Sequence, residues 1–262
     1  MPTSEHPILD PARRPVAGHR GNRAHAPENT LESFAQAVAL GVDALEFDVR
    51  LTADGVAVVH HAPTVDRTTD GSGPVAAMTL AELRRLDAGA RFTADGGRTF
   101  PWRGRGVRVP TLDEVLEEFA DVPLLIELKT PLAQQAVHRA IERHAAAAHC
   151  VPASSFDAAL EVCREAGLAY GGSAREISRL YFRTACRLAA PAARYALLAV
   201  PLRHRGLTVP TRRFLRAAHA LGRPVHVWTV DDPAVARALW DRGAAGVVTN
   251  RPGLMVQARA RG

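Results

Sequence analysis

The stretch Ala44-Leu-Glu-Phe-Asp-Val-Arg50 alternates apolar and acidic residues with a period of two. That is the pattern of a β-strand, whose successive side chains point to opposite faces. Leu45, Phe47 and Val49 therefore fill one face, while Glu46 and Asp48 project together from the other. Two carboxylates held side by side on an apolar strand repel each other and are costly to bury unpaired. Two readings of the pair follow. It is either an all-oxygen site for a hard cation such as Mg²⁺, Ca²⁺ or Mn²⁺, or a salt-bridged pair on an exposed strand.

The segments on either side of this strand set the architecture. Pro15-Val-Ala-Gly-His-Arg20 reads as a short strand ending in His19-Arg20-Gly21, and 22–28 as a loop. Asn29 or Thr30 then caps a helix whose apolar face is Leu31, Phe34, Ala35 and Val38, closed by Gly41. The unit is βαβ, and its parallel strands require a right-handed crossover. Thr52-Ala-Asp-Gly55 is too short for another crossover, so residues 56–60 must return as an antiparallel hairpin strand ending at His60-His61. Residues 62–110, rich in Gly, Arg, Thr and Asp, read as an insertion with one short helix at 80–86. Phe92, Phe100 and Trp102 either line a substrate cleft or pack this insertion down, and packing is the expectation for most of them.

Beyond it, Thr111 caps a helix, and Pro123-Leu-Leu-Ile-Glu-Leu-Lys129 is the third parallel strand, with Leu125, Glu127 and Lys129 on one face. A helix opening at Pro131 follows. Further strand–helix pairs are expected at 151–156 with a helix to 166, and at 168–173 with a helix through 190. Others fall at 197–202 with 211–221, and at 224–230 with 233–242; a last strand at 246–249 precedes a terminal helix. Without the hairpin strand, eight parallel strands alternate with helices, the signature of an α/β (β/α)₈ TIM barrel with a small insertion after the second barrel strand. An open doubly wound sheet is the alternative. Residues 1–13, with three prolines and no periodicity, read as a flexible arm, and 14–262 as one domain.

Composition narrows the function. With 47% hydrophobic and 23% charged residues the chain has an ordinary globular balance. It lacks an apolar run of the roughly 18 residues needed to span a bilayer, so no stable membrane insertion is expected. The N-terminus has neither a basic start nor an apolar core, and Cys150, Cys163 and Cys186 form no metal or disulfide spacing. A cytoplasmic location is the expectation. The net charge of +6 comes without a basic run interleaved with aromatics or a DNA-binding motif, so nucleic acid is not the expected partner. Of 33 basic residues only Lys129 is lysine, which points to a site needing a compact ammonium.

In a barrel of this kind catalytic groups collect where the strands end. His19 and Arg20 end the first strand, Glu46 and Asp48 the second, and Glu127 and Lys129 the third, with His60-His61 above the same rim. Three carboxylates, one divalent cation, Arg20 and Lys129 sum to +1, which one phosphodiester monoanion neutralises. Two histidines near neutral pKa can act as base and acid on opposite sides of phosphorus. The chemistry is metal-assisted phosphodiester cleavage.

The ordered words Gly18-His-Arg-Gly21, Pro27-Glu-Asn-Thr30, Glu46-Phe-Asp48 with Asp54-Gly55, His61 leading to Thr64-Val-Asp-Arg-Thr-Thr69, Pro110-Thr-Leu112, Ile126-Glu-Leu-Lys129, Ser155-Phe156, Val227-Trp-Thr-Val230 and Thr249-Asn250 span residues 15–253. In this set the chain resembles the glycerophosphodiester phosphodiesterase family. The resemblance implies Mg²⁺ or Ca²⁺ on Glu46, Asp48 and Glu127, and His19 and His61 as the acid–base pair. It also implies phosphate contacts from Arg20 and Lys129, with Trp228 lining the glycerol or leaving-group side. The substrate it implies is a small glycerophosphodiester, whose glycerol 2-hydroxyl attacks phosphorus. An alcohol departs and leaves a cyclic phosphate that water opens to glycerol 3-phosphate. The chain departs from the family at Ala62, where an Asp usually follows the second histidine; His60 then reads as a structural bystander.

Two alternatives accompany this. Lysophospholipase D-type cleavage would need an apolar groove, sought in Leu83, Leu86, Phe92 and Trp102. A non-catalytic phospho-ligand-binding barrel is raised only by Ala62.

Overall fold

A computed structural model of the chain describes residues 6–10 and 12–261. The strands in chain order are β1 (Val16–His19), β2 (Ala44–Leu51), β3 (Ala57–Val59), β4 (Leu124–Leu128), β5 (Cys150–Ala153) and β6 (Leu198–Pro201). They continue with β7 (Arg203–His204), β8 (Leu207–Thr208), β9 (Val225–Trp228) and β10 (Gly246–Thr249). The helices are α1 (Leu31–Ala39), α2 (Leu80–Leu83), α3 (Leu112–Glu118), α4 (Gln134–Arg143), α5 (Glu161–Glu165), α6 (Ala174–Ala185), α7 (Arg212–Ala220), α8 (Pro233–Arg242) and α9 (Pro252–Ala260).

Seven parallel strands run in the order β5-β4-β2-β1-β10-β9-β6, and β3 pairs antiparallel with β2 as the short connection required. The expected strand over 168–173 is reduced to a parallel bridge between Gly171 and Leu197. Gly171 donates to the Pro152 carbonyl and Gly172 to that of Leu197, so this eighth stave joins β5 to β6 and curls the sheet into a barrel. Glycine is needed for this close approach, since a Cβ on Gly171 would meet that of Ala153 at 2.8 Å.

Alternation sorts the core into two shells. Leu45, Phe47 and Val49 of β2, with Leu124, Ile126 and Leu128 of β4, pack outward against the helices. Inside, small residues line the lower barrel: Ala17, Ala44, Leu125, Val151, Ala153, Leu197 and Val248. Ile8 joins this inner layer and is 1% exposed. The described part of the expected arm is therefore docked. Pro7–Leu9 form a 3₁₀ turn, and His226 bonds the Ile8 carbonyl at 2.7 Å. Residues 1–5 and 11 lie outside the described part. Ile8 packs into the one cluster these inner side chains form.

Thr30 caps α1 by accepting from the Ser33 amide. The helix buries Ser33, Phe34 and Ala37, whereas Ala35 and Val38, expected on that face, are exposed. A polar residue wins the buried position because the Ser33 hydroxyl donates to the Arg20 carbonyl. Helix α6 stops at Ala185 rather than reaching residue 190. Arg187 takes a left-handed φ of 58° and Leu188 donates back to the Arg183 carbonyl at 2.8 Å, a Schellman stop made without glycine. The insertion has its own small core of Val58, Val65, Val75, Leu83, Val107 and Val109, with Leu86 and Trp102 packed against it.

Candidate active site

Strand register brings the acids together. Asp48 lies opposite Glu127 in the β2–β4 ladder, and Glu46 lies opposite His19 in the β1–β2 ladder. Glu46, Asp48 and Glu127 each offer an oxygen within 4.8 Å of the others. One cation held about 2.0–2.6 Å from each oxygen spans such a gap. Burial, then the charges of Asp48 and Glu127, push Glu46 well above the usual carboxylate range. Burial also raises Glu127, although Lys129 opposes it. For Asp48 burial acts upward too, but Lys129 and Arg20 outweigh it and hold the group low. Asp48 Oδ1 is buried without a hydrogen bond of proper geometry. Three carboxylates, each able to offer an oxygen to one shared point, fit a hard divalent cation.

Two cations of the chain already press on this cluster. Lys129 Nζ sits 2.9 Å from Asp48 Oδ1 and 2.8 Å from Glu127 Oε2. Arg20 Nε lies 3.0 Å from Asp48 Oδ2. The Arg20 backbone has φ 55°, a left-handed conformation rare for a long side chain. Its carbonyl accepts from the Asn29 amide at 3.1 Å, and its amide donates to the Glu46 carbonyl at 2.7 Å, which hold it there. Asn29, itself at φ 59°, donates through Nδ2 to Asp48 Oδ2 at 2.9 Å. Glu28 accepts from Arg20, and ion pairs tie it to Arg23 and Arg67. Burial tends to raise Glu28, but those arginines drive it far below its ordinary value. Glu28 and Asn29 thus position the cluster. Sequence reasoning gave them no role in the site, although both lie in the word Pro27-Glu-Asn-Thr30.

His19 and His61 line the same cavity as Glu46, Glu127, Arg20 and Lys129. His19 Nδ1 is 2.6 Å from Asn250 Oδ1, and Asn250 Nδ2 donates to Asp231 Oδ2 at 2.7 Å. That second bond orients the amide, so Asn250 Oδ1 accepts the Nδ1 proton of His19. The His19 Nε2 lone pair is then free, 3.9 Å from Glu46 Oε2. Burial and then Arg20 push His19 down to about 4. Burial also lowers His61 to about 4, with Asp48 opposing. Among the described residues no side chain bonds the His61 ring, although Arg50 Nε donates to its carbonyl at 2.9 Å. His60 Nδ1 bonds the Ala62 carbonyl and Nε2 faces the Thr68 hydroxyl, as expected of a structural residue. Asn250 and Asp231 were missed as supports; the only signal was Thr249-Asn250 at the end of the last strand.

The cavity above the rim measures about 600 Å³. Seven of the eight expected site residues line it, and Asp48 sits buried just behind them. Trp228 stands at the end of β9, 41% exposed. One wall is apolar: Ile177, Tyr181, Phe182, Leu207 and Val209. The insertion residues Leu83, Leu86, Phe92 and Trp102, considered for an apolar groove, do not line it. Leu83, Leu86 and Trp102 are spent on the insertion's own packing.

A parallel barrel whose strand ends carry an acidic cluster, two histidines and a basic clamp defines a (β/α)₈-barrel hydrolase. The model of the Glycerophosphoryl diester phosphodiesterase family matches residues 19–254. The chain belongs to that family and is an enzyme of its phosphodiester hydrolase class. It is 30% identical to the glycerophosphodiester phosphodiesterase of Bacillus subtilis (strain 168), over 94% of this chain and 87% of the relative. A shorter match, at 46% identity, is to the glycerophosphodiester phosphodiesterase of Caldanaerobacter subterraneus subsp. tengcongensis and spans 44% of each protein. Among solved structures, an Oleispira antarctica phosphodiesterase in complex with the product sn-glycerol-3-phosphate superposes with a TM-score of 0.73 at 25% identity, covering 94% of this chain and 96% of that one.

Proposed function

We propose that the protein hydrolyses glycerophosphodiesters to sn-glycerol 3-phosphate and an alcohol, with Glu46, Asp48 and Glu127 holding Mg²⁺ or Ca²⁺. The observation that carries this is the meeting of His19, His61, three carboxylates, Arg20 and Lys129 at one cavity. The product bound to the Oleispira antarctica relative supports the substrate class. When bound, the cation supplies Lewis-acid stabilisation of charge at a phosphoryl oxygen. Arg20 and Lys129 attract the phosphodiester and orient it through charge-assisted hydrogen bonds. His19, with its proton held on Nδ1 by Asn250, accepts at Nε2 the proton of the attacking glycerol 2-hydroxyl, and water opens the cyclic phosphate that results to glycerol 3-phosphate. His61 faces the cavity and delivers a proton to the departing alcohol oxygen as the P–O bond breaks. Burial is the main cause of both low values. The substrate's negative charge offsets the part that comes from Arg20, and at His61 also from Lys129, and so moves both imidazoles upward toward the range where they exchange protons.

The apolar wall of Ile177, Tyr181, Phe182, Leu207 and Val209 favours a second reading within the same chemistry, a diester whose leaving group or glycerol carries an acyl chain. The two are separated by a cation-supplemented assay of glycerol 3-phosphate release from glycerophosphocholine, run beside release of lysophosphatidic acid from lysophosphatidylcholine. Turnover should fall about 10²–10⁴-fold in His19→Ala and His61→Ala variants that stay folded. Unchanged turnover in either would remove that residue from the reaction. Binding of a diester with no product at any cation concentration would restore the non-catalytic alternative.

A further inference from the structure

The arginines are unevenly distributed. From α6 through α7, residues 174–220 contain ten arginines and one acid, Glu176. The segment carries 10 − 1 = +9, against +6 for the whole chain, so the remainder carries −3. Glu176 is not free to compensate, since it closes the capping box of α6 and faces Arg164. Among the described residues none of the ten arginines forms an ion pair with a carboxylate. Nine are exposed, including Arg175 and Arg179 on α6 and Arg203 and Arg205 on the β7–β8 hairpin.

The same two elements carry the apolar rim of the cavity. Phe182 of α6 is 61% exposed, Leu207 of the hairpin 54% and Trp228 beside it 41%, and all three line the cavity mouth. Large apolar side chains are rarely left in water at a mouth that leads to an apolar wall. Aromatic side chains flanked by unpaired arginines suit a lipid interface, where the rings sit at headgroup depth and the guanidinium groups meet lipid phosphates. A single-stranded nucleic acid would also attract the charge, but it takes a run of aromatic platforms. Here the rim includes Leu207 and continues inward to Ile177 and Val209, which offer a base nothing to stack on.

We propose that α6, the β7–β8 hairpin and Trp228 form a docking face that seats the mouth of the cavity on an anionic phospholipid bilayer. This rests on the proposed function for its purpose: the face presents the catalytic rim to acyl-bearing glycerophosphodiesters held at a membrane surface. It needs no inserted helix, and among the described residues none is long and apolar enough to cross a membrane.

The test is co-sedimentation of the full chain with vesicles of phosphatidylglycerol and, separately, of phosphatidylcholine, alongside turnover of water-soluble glycerophosphocholine. The protein should sediment with phosphatidylglycerol, be released by high salt, and remain in the supernatant with phosphatidylcholine. Each basic residue near an anionic surface is worth roughly fivefold in partition. The double variant Arg179→Glu/Arg203→Glu should therefore lose at least about 25-fold in vesicle binding while turnover of the soluble diester is unchanged. A Phe182→Ser/Leu207→Ser variant should also bind more weakly. The proposal is overturned by absence of binding to phosphatidylglycerol, by equal binding of the charge-reversed variant, or by tighter retention on single-stranded DNA than on the anionic vesicles. Vesicle binding without turnover of any soluble diester would instead sink the proposed reaction and leave the docking face standing.

Discussion

Replacing Glu46 by Gln should stabilise the cation-free protein and disable the cation-loaded one. Glu46 is 6% exposed, and its neighbours Asp48 and Glu127 each offer an oxygen within 4.8 Å. At an effective dielectric of about 20, like charges at that separation repel by about 3 kcal/mol per pair. Arg20 and Lys129 offset part of this, yet the balance still pushes Glu46 well above the usual carboxylate range, with burial as the largest cause. Gln keeps the shape and can still accept from the Arg20 amide, which lies 3.2 Å from Glu46 Oε2. The cluster then counts two carboxylates against Arg20 and Lys129. We expect Glu46→Gln to gain about 1–3 kcal/mol in excess chelator, roughly 2–8 °C in Tm for a chain of this size. With saturating Mg²⁺ or Ca²⁺ the wild type should rise in Tm and the variant should not, because ligand binding stabilises only a fold that binds it. Differential scanning calorimetry in chelator and in each cation, with titration calorimetry for affinity, measures both arms. A lower Tm for the variant in chelator would refute the idea that repulsion and desolvation dominate at Glu46. Equal cation affinity in the two proteins would remove Glu46 from the ligand set.

Three further outcomes follow from the support around the site. Asn250→Ala frees His19 Nδ1 and should cut kcat about 10–100-fold with little change in KM, and it should alter the pH–kcat profile; an unchanged profile would show that Asn250 does not orient the ring. Gly21 has φ 86°, and a Cβ there would lie 2.6–2.7 Å from the Ser33 backbone, so Gly21→Ala should cost about 3 kcal/mol in urea unfolding and displace Arg20. Burial depresses His226 to about 4 from 6.5, so the unfolded chain takes up this proton first as pH falls. Its contribution is full above pH 6.5 and is lost between 6.5 and 4, up to about 3 kcal/mol. His226→Asn should flatten that part of the stability–pH curve, and parallel curves for the two proteins would contradict the assignment.

Ala44–Leu51 shows why the barrel could be read from the chain. Alternation is a local property of the backbone, so placing Glu46 and Asp48 opposite Leu45, Phe47 and Val49 requires no knowledge of the fold. The same holds for Glu127 on β4 and for the Asp54-Gly55 hairpin, which turns because no longer connection exists. Charged residues at three successive strand ends were therefore legible together with the faces that carry them. Tertiary structure decided what joins residues far apart in sequence. His19 meets Asn250 across 231 positions, and its proton is placed by a bond that neither strand alone implies. Helix α1 turns Ser33 inward because the partner that satisfies it, the Arg20 carbonyl, belongs to a different element. Ile8 is docked because it packs with inward-facing residues of five strands and with Leu197, which only the closed barrel brings together. Likewise the apolar wall comes from α6 and the β7–β8 hairpin rather than from the insertion, whose Leu83, Leu86 and Trp102 are taken by its own core. Local periodicity specifies which face a side chain occupies; only closure of the ring specifies which other face it meets, because that depends on the relative placement of staves separated by the whole chain.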